Sequence, residues 1–156
     1  MRPSASDLLG QNYGLVAKDL FTPLLDVFAA ARSAFDGDLE KAVVLLEVAI
    51  RTLQDPRLAG IDLNTVLRGE MENYPSLSTN MRSIADSSGI PKETVRRKVA
   101  ALVAQGLVLR HGNRLSLSTT ASPVLTPVRE AVLKLAARNY ETVAALQNRK
   151  VGPPDR

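Results

Sequence analysis

Apolar side chains recur every three or four positions along most of this chain, which is the spacing that places them on one face of an α-helix. Helix is predicted over residues 13–35, and Thr22-Pro23 within it offers a cap and a first-turn proline that should kink or divide the segment. Residues 1 to about 12 lack this pattern and are expected to form a mobile tail, as are residues 152–156, GPPDR.

A second helix is predicted over roughly residues 39–54, after a break at 36–38 in which Asp38 can serve as the N-cap. Apolar residues lie on one face and on much of the remaining circumference: Val43, Leu46, Ile50 and Leu53, then Val44, Leu45, Val48 and Ala49. Because such a helix offers water no polar face, we expect it to be buried in the middle of the domain. The two helices define an N-terminal helical region over residues 13–56.

A different combination of short elements is predicted over residues 63–119. The stretch LNTVLRGEM favours a short helix, and a loop after it ends in a cap candidate at Thr79. A further short helix around Ile84 should end at Gly89, a residue that tolerates a left-handed conformation. Pro91 then opens a helix over residues 91–105, with a buried stripe of Val95, Val99, Leu102 and Val103.

Two short segments of alternating polarity, LVLRH and RLSLS, follow this helix and are joined by Gly112-Asn113. Alternation with a glycine-containing turn is typical of a β-hairpin, here over residues 107–118. Arg110, His111 and Arg114 are expected to cluster at its tip.

The last helix is predicted over residues 122–148, with two possible starts at Ser122-Pro123 and Thr126-Pro127. It carries one stripe of Leu125, Val128, Val132, Leu135, Asn139, Val143 and Leu146, and a second of Leu133, Ala137, Tyr140 and Ala144. Two apolar stripes are more surface than a small domain can cover by itself. We therefore expect the surplus apolar surface to be buried against a second copy, with Asn139 pairing with its counterpart across the symmetry axis. The alternative is one wide stripe packed on the chain's own domain.

Charge is concentrated in one part of the chain. Residues 81–114 hold seven of the 20 Lys/Arg residues but only two of the 16 Asp/Glu residues, which leaves 13 basic and 14 acidic residues elsewhere. The net charge of +4 therefore belongs to about a fifth of the protein. A concentrated positive field on a compact unit indicates a polyanionic partner.

The amino-acid composition excludes several kinds of catalytic and metal site. With no Cys and a single His, the chain lacks the side chains for a disulfide framework, a Cys or His zinc site or a conventional catalytic triad. We therefore expect no catalytic residue, metal or cofactor, and no enzyme. A secretory signal and a membrane-length apolar run are also not evident, which favours a cytoplasmic location and no membrane partner.

The segment SIADSSGIPKETVRRKVAALVAQGLVLR resembles the winged helix-turn-helix of bacterial transcription regulators. Ile84, Ala85, Gly89, Ile90 and Val95 stand where such motifs place a hydrophobe, Ala, Gly, a hydrophobe and Val or Ile. The flanking helices are similar in layout to those of MarR-type regulators, in which terminal helices build a dimer. The resemblance implies a mainly α fold, namely a three-helix core plus a β-hairpin wing, with additional N- and C-terminal dimerisation helices.

A homodimer that binds double-stranded DNA is thus expected, with helix 91–105 in the major groove and the wing on the backbone or in the minor groove. Arg96 or Arg97 could contact guanine, while Thr94 and the helix N-terminus suit phosphates. The full set of expected DNA-binding residues is Arg82, Lys92, Thr94, Arg96, Arg97, Lys98, Arg110 and Arg114. We expect the Lys98 stem to lie along the surface with its charge in water. The alternative is a winged-helix module that binds protein or RNA, and a small-molecule effector of unknown class stays open.

Overall fold

The computed structural model describes residues 3–68 and 77–149, and this part of the chain is mainly helical with one two-stranded antiparallel hairpin, as predicted. The elements in chain order are α1 Ala5–Gln11, α2 Tyr13–Ala34, α3 Leu39–Leu53, a 3-10 turn Pro56–Leu58, α4 Leu63–Leu67, α5 Met81–Ser88, α6 Lys92–Ala104, β1 Val108–His111, β2 Arg114–Leu117 and α7 Ala121–Arg149. The predicted C-terminal tail, residues 152–156, lies outside the described residues.

Two compact units make up the chain. The terminal unit comprises Met1–Ala30 and Val128–Arg156, and the central unit comprises Ala31–Pro127. Both boundaries fall inside a helix, so α2 and α7 each contribute to both units. The expected N-terminal helical region over 13–56 is therefore distributed over the two units.

The central unit is built around α3, which contacts α5, α6 and β2. The Asp38 side chain caps α3 as predicted, accepting a hydrogen bond of 2.9 Å from the backbone N–H of Lys41. The core is formed by apolar side chains at most 2% exposed: Phe35, Ala42, Val44, Leu45, Val48, Ile84, Val95, Val99, Leu102, Val108, Leu115 and Ala121. This core fixes the positions of the short elements between residues 81 and 114, which carry the excess of positive over negative charge.

The prediction that α3 is buried on all sides is wrong. Its buried face is that of Val44, Leu45 and Val48, whereas Leu53 on the opposite face is 66% exposed. Val43 and Ile50 are exposed as well. Apolar composition around the whole helix therefore does not identify which face packs, because the elements that cover it are distant in sequence.

The hairpin forms as predicted, with Val108 opposite Leu117 and His111 opposite Arg114. Gly112 occupies the turn at φ 60°. Thr79 is not the cap that the sequence suggests. Its backbone instead pairs with Leu115 through hydrogen bonds of 2.8 and 2.9 Å, and Asn80 caps α5.

In the terminal unit, the expected N-terminal tail is a helix. Ser4 and Asp7 form a reciprocal capping box at the start of α1, in which Ser4 Oγ accepts from the Asp7 N–H at 3.1 Å. Leu8, one helical turn after Ser4, is buried in a cluster with Val16 and Leu146. The sequence signal was present in Ser4-Ala-Ser-Asp7, but the short apolar pattern after it was too brief to indicate a helix.

Prolines do not divide the long helices. Pro23 lies inside α2, so of the two predicted alternatives, a kink or a division, the division into two helices is wrong. Thr22 Oγ1 donates to the Lys18 carbonyl at 2.8 Å instead of capping a new helix. In α7 the helix begins at Ala121, and Thr126 Oγ1 donates to the Ser122 carbonyl at 3.0 Å. Hydroxyl groups next to Pro23 and Pro127 thus bond to carbonyls of the preceding turn.

Many large apolar side chains of the terminal unit are exposed. On α2 they are Tyr13, Leu15, Phe21, Leu25 and Phe28, and on α7 they are Val132, Leu133 and Tyr140. Burial along the predicted stripes of α7 is uneven, since Val128 and Leu146 of the first stripe are buried but its Val132 is exposed, as are Leu133 and Tyr140 of the second. Asn139 Oδ1 is shielded from solvent and has no hydrogen-bond partner within residues 3–68 and 77–149.

Candidate nucleic-acid interface

The candidate interface is built on α5 and α6, which pack together inside the central unit. Ile84 of α5 and Val95, Val99 and Leu102 of α6 are fully buried, so both helices are anchored by their apolar stripes. Val103, predicted in the same stripe, lies at its exposed margin. Anchoring along one side leaves the opposite side of α6 open to solvent.

The turn between the two helices is short and held by hydrogen bonds. Gly89 ends α5 in the left-handed conformation at φ 72°, as predicted, and its N–H donates to the Ala85 carbonyl at 3.0 Å. Ser88 Oγ donates to the Ile84 carbonyl at 2.6 Å and accepts from the Ile90 N–H at 3.2 Å. The turn that leads into α6 is therefore held by one backbone hydrogen bond and by the Ser88 hydroxyl group.

The N-terminal half of α6 presents charged side chains to solvent. Lys92, Glu93, Arg96 and Arg97 are exposed, and Thr94 is half-buried. Pro91 precedes the helix, and none of the described side chains caps its first N–H groups. Those N–H groups and the positive end of the helix dipole are thus available to an anion.

Arg96 and Arg97 differ in how they are held. Glu93 accepts two hydrogen bonds from Arg96, from Nε at 2.9 Å and from Nη2 at 2.5 Å. Hydrogen bonding to Arg96 lowers the pKa of Glu93, and the same contact raises the pKa of Arg96. Arg97 makes a single long contact of 3.5 Å from Nη2 to Thr94 Oγ1.

Lys98 does not lie with its charge in water. Its Nζ is 2.8 Å from Asp38 Oδ2 and 3.8 Å from Glu40 Oε2, and its side chain is 20% exposed. Burial alone would raise the pKa of Asp38, but hydrogen bonds from Lys98 and from the Lys41 N–H outweigh burial and lower it. The pair links α6 to the start of α3, which makes the Lys98 ammonium less accessible to a phosphate than the neighbouring cations.

The hairpin does not bring Arg110 and Arg114 to one face. Residues directly opposite in an antiparallel pair share a face, so Arg114 lies with His111, whereas Arg110 lies with Leu115. Arg110 Nε donates to the Gly112 carbonyl at 3.0 Å, which folds its side chain back on the turn. Arg114 is exposed and has the more open approach to a ligand.

Arg82 completes the set of predicted residues. It is exposed on α5, with Nε 3.8 Å from Asp86 Oδ2. All eight predicted residues lie in the central unit, five of them in the first two turns of α6. The sequence places Glu93 on the outward face of this helix, but its ion pair with Arg96, which the i, i+3 spacing could have indicated, was not predicted. Sequence reasoning also missed Asp38 as the partner of Lys98, for which a separation of 60 positions in sequence leaves no local signal.

An open groove of about 350 Å³ lies apart from these residues, within the terminal unit, between α2 and α7. Its lining combines apolar Leu15, Val16 and Leu146 with Asp19, Arg138 and Glu141. Both charge signs are represented, so the lining indicates no class of effector.

The chain matches no protein-family model, and no curated protein or solved structure is significantly similar to it. No helix among residues 3–68 and 77–149 combines the length and the apolar content that crossing a membrane requires. In the same residues, no three Asp, Glu or His side chains are grouped so that they could hold a metal ion.

Proposed function

We propose that this chain is a sequence-specific transcriptional regulator that binds double-stranded DNA as a homodimer. The observation that carries the proposal is the arrangement of α6, with its apolar stripe anchored in the core and Lys92, Arg96 and Arg97 exposed on its other side. The resemblance of the surrounding segment to the winged helix-turn-helix, with helices laid out as in MarR-type regulators, points the same way. The proposal includes no catalytic role and no cofactor.

In this proposal α6 enters the major groove with its N-terminal half. Arg96 or Arg97 contacts base edges, while Lys92, Thr94 and the uncapped N–H groups contact phosphates. Arg114 of the hairpin and Arg82 of α5 extend the contact to adjacent phosphates or the minor groove, with Arg110 reaching them once it leaves the Gly112 carbonyl. Lys98 acts mainly by holding α6 against α3 through Asp38.

A second copy is the proposed partner of the terminal unit. The exposed side chains of Phe21, Leu25, Phe28 and Leu133 are large and apolar, and they lie on the two helices of one unit. Such surfaces usually mark an interface. The unsatisfied Asn139 Oδ1 adds a polar group that a donor from the second copy could satisfy.

A two-fold dimer would place two copies of α6 about one DNA turn apart, roughly 34 Å, and would therefore bind a palindromic site. This arrangement predicts a cytoplasmic protein in contact with the chromosome. Sedimentation or light scattering of the intact chain measures the proposed dimer directly, and a monomer at micromolar concentration would contradict it.

The test of DNA binding is selection of bound sequences from fragmented genomic DNA, with the Arg96→Ala/Arg97→Ala protein as control. We expect enrichment of a palindromic site that the double variant loses. If about six phosphates are neutralised per dimer, the logarithm of the binding constant should fall with the logarithm of salt concentration with a slope of roughly −5.

Single variants separate the roles of the two arginines. If Arg96 contacts a base, Arg96→Ala should relax preference at one base pair at a cost of about 1–3 kcal/mol, and if it contacts only phosphate, Arg96→Ala should weaken all sequences alike; Arg97→Ala is interpreted in the same way. A folded wild-type protein that enriches no sequence at low salt would overturn the proposal in favour of a protein- or RNA-binding module.

A further inference from the structure

The contact between Glu93 and Arg96 distinguishes Arg96 from the other cations of α6. Both carboxylate oxygens of Glu93 are used, one by Nε at 2.9 Å and the other by Nη2 at 2.5 Å. Glu93 is 67% exposed and Arg96 is 60% exposed, so the pair stands in solvent at the surface proposed to meet DNA. Glu93 also lies in the first turn of α6, where the helix dipole favours an anion.

The atoms that Glu93 engages leave one edge of the guanidinium open. A guanidinium carries five N–H groups arranged along a side edge, formed by Nε and one terminal nitrogen, and an end edge, formed by both terminal nitrogens. Glu93 accepts from the side edge. The end edge still presents two parallel N–H groups, which is the arrangement that matches O6 and N7 of guanine.

Arg97 has no such restraint among the described residues. Its single contact with Thr94, at 3.5 Å, is at the outer limit of a hydrogen bond. Arg97 therefore retains rotamer freedom that it would lose on binding, whereas Arg96 has already lost part of it. A side chain ordered before binding favours a specific geometry, and a mobile cation suits a phosphate.

We propose that Glu93 is a positioning residue that holds Arg96 by its side edge and thereby makes Arg96, rather than Arg97, the residue that selects guanine. This inference rests on the proposed DNA-binding function and deepens it. The role has a distinctive signature, because a carboxylate at the DNA surface repels phosphates. Loss of Glu93 should raise affinity for all duplexes while lowering the preference for the selected one.

The experiment compares the wild-type protein with Glu93→Ala and Glu93→Gln, on the selected duplex and on a scrambled duplex of the same length. Asp86→Asn is the matched control, because it removes a carboxylate from the neighbouring helix α5 and leaves the Arg96 contact untouched. Scrambled-duplex affinity should rise in all three variants. The ratio of selected to scrambled affinity should fall about two- to tenfold in the Glu93 variants, the factor expected from ordering one long side chain, and should stay constant in Asp86→Asn.

Two further measurements locate the effect. When the guanines of the selected site are replaced one at a time, one replacement should lower the affinity of wild type more than that of Glu93→Ala. Adding Arg96→Ala to both proteins should abolish this difference. In the free protein, the Nε–H resonance of Arg96 should be displaced from its solvent-exposed position by NMR and should move toward that position in Glu93→Ala.

The outcomes separate this inference from the proposed function. If wild type discriminates between duplexes and the Glu93 variants discriminate equally well, the positioning role is wrong and the DNA-binding proposal stands. If Glu93→Ala loses preference at a cytosine even in the Arg96→Ala background, Glu93 contacts a base itself and the positioning role is again wrong. If wild type does not discriminate at all, the proposed function fails and this inference fails with it.

Discussion

The two units of this chain differ in how completely they bury their own apolar surface. In the central unit, Leu45, Val99 and Leu115 are fully buried, and they come from α3, α6 and β2. In the terminal unit, a smaller cluster around Leu8, Val16 and Leu146 coexists with exposed Phe21, Leu25 and Leu133. The central unit thus has a closed core, although Ile50 and Leu53 on the outer face of α3 are exposed. The terminal unit exposes the kind of surface that a partner would cover.

The largest predicted effect tests the closed core. Leu102→Ala should lower the free energy of unfolding by about 2–5 kcal/mol, because it removes a side chain that is fully buried and leaves a cavity. Leu146→Ala is the matched change in the terminal unit, where Leu146 is also buried. We expect a loss of about 2 kcal/mol or less there, because the exposed surroundings can relax into the space.

Urea unfolding of both variants, at a protein concentration low enough to minimise association, measures this difference. Equal losses would indicate that the terminal unit is as tightly packed as the central one. In that case the exposed apolar side chains of the terminal unit would not indicate that this unit has an incomplete core.

The second prediction concerns the exposed face of the terminal unit. Leu133→Glu should raise the dissociation constant of the proposed homodimer at least about tenfold, because an unpaired charge would enter the proposed apolar interface. Leu109→Glu is a close control, since Leu109 is 48% exposed in the central unit and Leu133 is 47% exposed in the terminal unit. Sedimentation equilibrium should show dissociation of the first variant and a mass like that of wild type for the second. Dissociation of both variants, or of neither, would remove the distinction between the two surfaces.

Sequence patterns predicted the structure best where it is determined by residues that are close together in the sequence. Gly89 and Gly112 marked their turns, Asp38 marked the start of α3, and the alternation around Gly112 marked the hairpin. Each of these depends on residues within a few positions of one another, where backbone geometry is set by neighbouring side chains.

Patterns failed where the outcome depended on distant contacts. The exposed side of α3 could not be identified, because the packing partners α5, α6 and β2 lie well beyond it in sequence. Thr79 looked like a cap but is held by Leu115, and Pro23 looked like a helix start although α2 continues through it. At the candidate site, the exposed cations were predictable from charge and spacing. The pairing of Lys98 with Asp38, in contrast, required the folded arrangement of α3 and α6.

The smallest predicted effect concerns this Lys98–Asp38 pair, which is partly buried in the central unit, whereas the Glu93–Arg96 pair of α6 is exposed. Lys98→Met should lower the free energy of unfolding by about 1–2 kcal/mol at neutral pH, because it leaves a partly buried carboxylate without its cation. Lys92→Met, which removes an exposed charge from the same helix, should change stability by less than about 0.5 kcal/mol.

The pH dependence of stability tests whether the Asp38 carboxylate is responsible for this stabilisation. Since the folded-state pKa of Asp38 is lowered, its contribution is present above the unfolded-state pKa of about 3.9 and is lost as pH falls through the folded-state value. The difference between wild type and Lys98→Met in urea midpoints should therefore stay constant from pH 7 to about 5 and narrow below about 4. A difference that persists unchanged at pH 3 would mean that Lys98 stabilises the contact between α6 and α3 through its aliphatic stem. The Asp38 ion pair would then not be what fixes α6 against the core.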